Sequence, residues 1–158
     1  SMTEADKLAT AAADALNLTA AINGTSGEGT TYGEGTVPHA LVTAAVGTAV
    51  VATATLTSDA TAPSDGDTVT IGNKTYTFKT ALTPSEGEVL IGASAAAALD
   101  YLKAAVNHTG TPDTDYKCAA AHTQVVATTN TNTTQVFDAL VAGAAGNLFG
   151  FSEAGTHT

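Results

Sequence analysis

The chain has 158 residues and a formal charge of −10, with 15 acidic side chains against 5 basic ones. Five cations neutralise few phosphates, which argues against nucleic-acid binding and against an anionic membrane surface. Hydrophobic content is 44%, but much of it is alanine, aromatics are 5% and Trp is absent, so any core is thin and gains stability from association.

Residues 3–23 read as a helix. Leu8, Ala11, Ala15, Leu18 and Ile22 recur on one face, Thr3 stands at the cap with Asp6 three residues on, and Asn23-Gly24 ends the pattern. Residues 24–35 are a polar loop carrying Glu28, Tyr32 and Glu34. Val, Thr and Ala then fill residues 37–45 and 49–57, which read as two strands turning at Gly47-Thr48. Residues 58–64, with Pro63, are linker-like. No apolar run reaches transmembrane length. The N-terminus has no basic-then-apolar signal pattern, and Ser1 ahead of Met2 reads as a cloning remnant.

The clearest pattern lies in residues 65–79. Val69 and Ile71 alternate with threonines, as do Tyr76 and Phe78, and Gly72-Asn73 between them is a two-residue primed turn. That turn pairs Ile71 with Lys74 and Val69 with Tyr76. Cross-strand partners share a face, so Val69, Ile71, Tyr76 and Phe78 point one way and Thr68, Thr70, Thr75 and Thr77 the other. A one-residue slip would scatter the apolar set, so the register is well specified.

Residues 80–91 form a connection with Pro84 and Gly87. Ser94 caps a second helix over residues 95–107, with a stripe of Ala95, Leu99, Leu102 and Val106. Residues 109–117 are a second polar loop, with Pro112 and Tyr116. Residues 118–128 and 133–142 read as strands, and a Gly-Ala tail leads to Leu148, Phe149 and Phe151.

Two stretches repeat. The face Ala11, Ala15, Leu18, Ile22 matches Ala95, Leu99, Leu102, Val106 at a constant offset of 84 residues. Asn23 matches Asn107, Thr25 matches Thr109 and Tyr32 matches Tyr116. His39 matches His122 after a one-residue gap, and a hairpin follows each. The expected fold is α+β, with two related lobes, each a small antiparallel sheet with one helix on a face. Residues 3–62 form the first lobe, an incomplete helix-plus-hairpin repeat. Residues 63–158 form the second, a complete ββαββ repeat. The first lobe either shares the sheet of the second or has its open edge completed by another chain, and the second solution is preferred.

No residues stand out as catalytic, cofactor-binding or metal-binding. The four histidines and the lone Cys118 lack zinc-ligand spacing, and Cys118 reads as a buried hydrophobe. Asp59, Asp65 and Asp67 lack the rest of a calcium loop. Glu86 and Glu88 lie in a polar connection with nothing apolar to raise a pKa. No nucleophile elbow or phosphate loop occurs. His39 and His122 read as hydrogen-bonding residues at strand starts, and Tyr32 and Tyr116 as plugs over the thin core.

The stretch 66–78, the Val89-Leu90-Ile91-Gly92-Ala93 run, Leu102 to Asn107 and the tail 142–147 resemble a module of bacteriophage virion structural proteins. The loop 23–39 is similar to the helix-to-strand segment of the same module. Such modules are often repeated and serve assembly or surface display. The resemblance implies a non-enzymatic virion protein, made in the host bacterial cytoplasm, that acts as capsid decoration, head fibre or tail component. Its partners would be copies of itself and other virion proteins, in a closed homo-oligomer with a trimer preferred. The expected contacts are Val69, Ile71, Tyr76 and Phe78 of the hairpin, with Phe149 and Phe151 of the tail as anchors. The alternative is a receptor- or glycan-binding module at a fibre tip, using Tyr32, Tyr116, His39 and His122.

Overall fold

The computed structural model describes residues 4–25, 30, 33, 35, 37–38, 42–45 and 50–155. The chain divides into two compact units, Ser1–Thr48 and Ala49–Thr158.

In the first unit, helix α1 (Glu4–Asn23) follows the apolar stripe that announced it. It ends at Gly24, whose φ of 62° reverses the chain, and Thr25 N–H donates back to the Ala20 carbonyl. The Asn23 side chain then reaches across the loop. Its Nδ2 donates to the Ala44 carbonyl at 2.7 Å and its Oδ1 accepts from Ala44 N at 2.9 Å. The described part of the expected strand 37–45 is irregular.

The second unit holds β1 (Val51–Thr57), β2 (Thr68–Ile71), β3 (Lys74–Lys79), β4 (Glu88–Leu90), α2 (Ala95–Asn107), β5 (Tyr116–Lys117), β6 (Val125–Asn130), β7 (Thr134–Ala142) and β8 (Phe151–Ala154). A single 3-10 turn, Ala144–Asn147, links the last two strands. The class is α+β, as expected, with two helices among the described residues and mostly antiparallel sheets. One sheet has the order β1-β7-β6 and the other β5-β4-β3-β2-β8, and both are built from residues of the second unit.

The β2–β3 hairpin has the register read from its alternation, with Ile71 opposite Lys74 and Val69 opposite Tyr76. Gly72 takes a φ of 57° and Asn73 is not among the positive-φ residues. This is the pattern of a II′ turn, with glycine at the first central position. Ser94 caps α2, its hydroxyl accepting from Ala97 N at 3.2 Å, and His108 closes the other end in the left-handed region. Val69, Ile71, Tyr76 and Phe78 are buried in one cluster with Leu102, Val106 and Phe137.

Four expectations need correction. The boundary between the units falls after Thr48, not after residue 62. Strand β1 has a partner that the sequence did not announce. It pairs antiparallel with β7, Thr57 opposite Thr134 and Ala54 opposite Phe137, because that pairing packs Leu56 against the core of the second unit. The connection 80–91 contains β4, which lies parallel to β3, and the tail forms β8 alongside β2.

Candidate assembly surface

The apolar hairpin face is spent inside the molecule. Ile71 and Tyr76 are fully buried and Val69 and Phe78 nearly so, because only there does the pleat meet α2, β6 and β7. The hairpin therefore presents its threonine face outward, where the Thr70 and Thr75 hydroxyls bond at 2.9 Å. Val69, Ile71, Tyr76 and Phe78 are core residues, not assembly contacts.

Tyr116 and His122 are buried too. The His122 Nε2 lies 2.9 Å from the Ile71 carbonyl, and its Nδ1 accepts from Gln124 N at 3.1 Å and Val125 N at 3.2 Å. That pattern places the proton on Nε2 of a neutral ring, and burial lowers the pKa of the side chain. His122 thus fastens the start of β6 to β2, the strand-junction role read from the sequence. Tyr116 fills the core, and burial pushes its phenol pKa up. Its hydroxyl and that of Tyr76 have no hydrogen-bond partner among the described residues. Neither Tyr116 nor His122 is placed to touch a ligand. Their repeat partners Tyr32 and His39 lie outside the described residues.

The carboxylates that invite a chemical reading have structural partners. Asp65 takes Lys79 Nζ at 2.6 Å and Thr80 N at 2.8 Å, and these contacts hold its carboxyl at about 2. Asp59 accepts from Thr61 N and Asp67 from Ser64 N, both as turn bonds. Glu86 pairs with Lys74 at 3.0 Å, and Glu88 is buried against the Thr83 hydroxyl and backbone. Among the described residues no group of three or more His, Cys, Asp or Glu is placed to hold a metal ion. Cys118 is buried, and burial pushes its thiol pKa up.

The tail is divided. Phe149 packs on the core, while Phe151, at 36% exposure, bridges Phe137 and Phe149 at ring distances of 5.5 and 5.7 Å. Beyond it lies a feature the sequence did not reveal. Edge strand β1 and edge strand β8 border one groove of about 320 Å³, lined by residues 54–57 on one side and 151–153 on the other, with Val69 between. Neither edge carries a lysine or proline, although β8 carries Glu153 and the β1 ladder is irregular between Val51 and Thr53. Where β1 begins and β7 ends, Val50, Val51, Val141 and Leu148 are also exposed, Leu148 by 85%. β8 was missed because Phe-Ser-Glu-Ala is too short and mixed to read as a strand.

No helix among the described residues is long and apolar enough to cross a membrane. No family model matches the chain, and no curated protein or solved structure matches it.

Proposed function

We propose that the chain is a non-enzymatic structural protein of a bacteriophage virion, working by association with copies of itself and with other virion proteins. It would serve as capsid decoration, head fibre or tail component. The observation that carries the assembly reading is the pair of strand edges without lysine or proline, β1 and β8, facing one groove beside exposed apolar residues. Open edges of this kind are completed by strand addition, and apolar ends by burial against a neighbour. The resemblance of residues 66–78 and of the tail 142–147 to virion modules supplies the setting.

Antibodies raised against the purified chain test the virion reading. Gold-labelled antibody is expected to decorate particles released from cells carrying the gene, at regular positions. Unlabelled particles in a lysate that contains the free protein would contradict it.

A further inference from the structure

Strand β6 is the outer strand of its sheet among the described residues, yet its outward backbone groups are not open. In an antiparallel pair every second residue turns its N–H and C=O away from the neighbour, and here Val125 and Ala127 do so. Asn107, at the end of α2, grips Ala127 as a clamp. Its Nδ2 donates to the Ala127 carbonyl at 2.7 Å and its Oδ1 accepts from Ala127 N at 2.8 Å. Val125 N donates to Nδ1 of His122 at 3.2 Å, and Gln124 N shares that acceptor at 3.1 Å. Two side chains therefore guard an edge that strand addition could otherwise use.

The two guards differ in what holds them. Asn107 belongs to a helix whose apolar stripe is buried. His122 belongs to residues 119–123, which join β5 to β6 without regular structure, and it is the one buried side chain among them. Its neighbours Ala119, Ala120, Ala121 and Thr123 are exposed, so no apolar anchor fastens the segment. It is further held by His122 N, which donates to the Val106 carbonyl at 2.8 Å, and by Ala119 N, which donates to Glu86 Oε2 at 3.0 Å. The titratable groups that act on the ring are Tyr76, whose ring centre lies 6.3 Å away on β3, and Lys74 at the turn, whose charge opposes a proton there. Helix α2 and strand β2 meet His122 through the Val106 and Ile71 carbonyls.

We propose that His122 is a proton-operated latch on this edge: protonation expels its ring, residues 119–123 lift, and the amides at the start of β6 are uncovered, while the Asn107 clamp keeps the rest of the strand in place. The chemistry is direct. The neutral ring accepts at Nδ1 and donates from Nε2 to the Ile71 carbonyl. A proton on Nδ1 turns the acceptor into a donor that faces two other donors, Gln124 N and Val125 N, in a buried site. The charged ring then gains by leaving for water. Lifting residues 119–123 breaks little apolar packing, so it costs less than global unfolding. Acid thus turns a guarded edge into an open one, with the proton as the ligand that switches it.

Amide exchange followed by NMR tests the latch, each rate being divided by that of an unstructured chain at the same pH. Opening takes up a proton on an imidazole with the ordinary pKa of about 6.5, so its equilibrium constant rises about tenfold between pH 7.5 and pH 5.5. The protection of Val125 N–H should fall by that factor, while that of Ala127 N–H should hold. In His122→Asn the protection of Val125 N–H should be independent of pH. Equal protection of Val125 at both pH values in the wild type would overturn the proposal. A fall shared in equal measure by Ala127 would also overturn it, because acid would then loosen the strand as a whole and not its edge. Both decisive readouts come from the wild type, so the test stands if the variant fails to fold.

Discussion

His122 is the residue on which two elements depend. Its ring donates to the Ile71 carbonyl and accepts from the amides of Gln124 and Val125 where β6 begins. Removing it leaves buried backbone groups unpaired, at roughly 1–3 kcal/mol for such a group. His122→Ala should lower the urea midpoint by the equivalent of about 2–3 kcal/mol. The ring also sets a pH dependence. Burial holds its pKa below the unfolded value of about 6.5, so the unfolded chain binds the extra proton first. The stabilisation is complete above about pH 6.5 and is lost as pH falls towards the folded pKa. Melting curves from pH 7.5 to pH 5 should show the wild type losing stability more steeply than His122→Asn. Parallel curves would refute a buried neutral ring. The Asn107 clamp makes a comparable demand, because Ala127 is buried. Asn107→Ala is expected to cost about 2 kcal/mol, measured by chemical denaturation. A loss under about 0.5 kcal/mol, the size of an ordinary surface substitution, would mean that water replaces the clamp.

At the level of elements, what could be read from the sequence was what is decided locally. The β2–β3 register follows from alternation and a two-residue turn, and α2 follows from its cap and stripe, so neither needed knowledge of a partner. β4 and β8 are short strands, three and four residues long, and only their neighbours make them strands. The partner of β1 was equally hidden. Its Ala and Thr alternation suits any antiparallel neighbour, and packing of Leu56 on the second unit's core decides in favour of β7. The same thin core leaves polar atoms stranded. The Tyr116 hydroxyl is buried with no partner among the described residues, so deleting it removes a desolvation cost without breaking a bond. Tyr116→Phe should therefore melt at the wild-type temperature or above it. A clear fall in Tm, read by differential scanning fluorimetry, would show that the hydroxyl is paired.

For the whole molecule, the candidate surface was legible only in part. Composition pointed to a thin core and association, and Phe151 of the tail lies on one border of the groove. The hairpin face, offered as a contact from its apolar alternation, went to the interior, since alternation identifies a buried face without naming what buries it. The surface left over is made of two strand edges and an apolar end, which depend on topology more than on any motif. A lysine on an open strand edge blocks edge-to-edge pairing, and Thr55 is exposed on β1, so Thr55→Lys should weaken association while leaving the fold intact.

The solution mass of the wild type and of Thr55→Lys, measured by light scattering on a sizing column across a wide dilution range, tests the association claim most directly. The account predicts a wild-type oligomer of fixed mass that resists dilution, and a Thr55→Lys chain that falls to monomer with unchanged circular dichroism. A wild-type monomer at every concentration would contradict it.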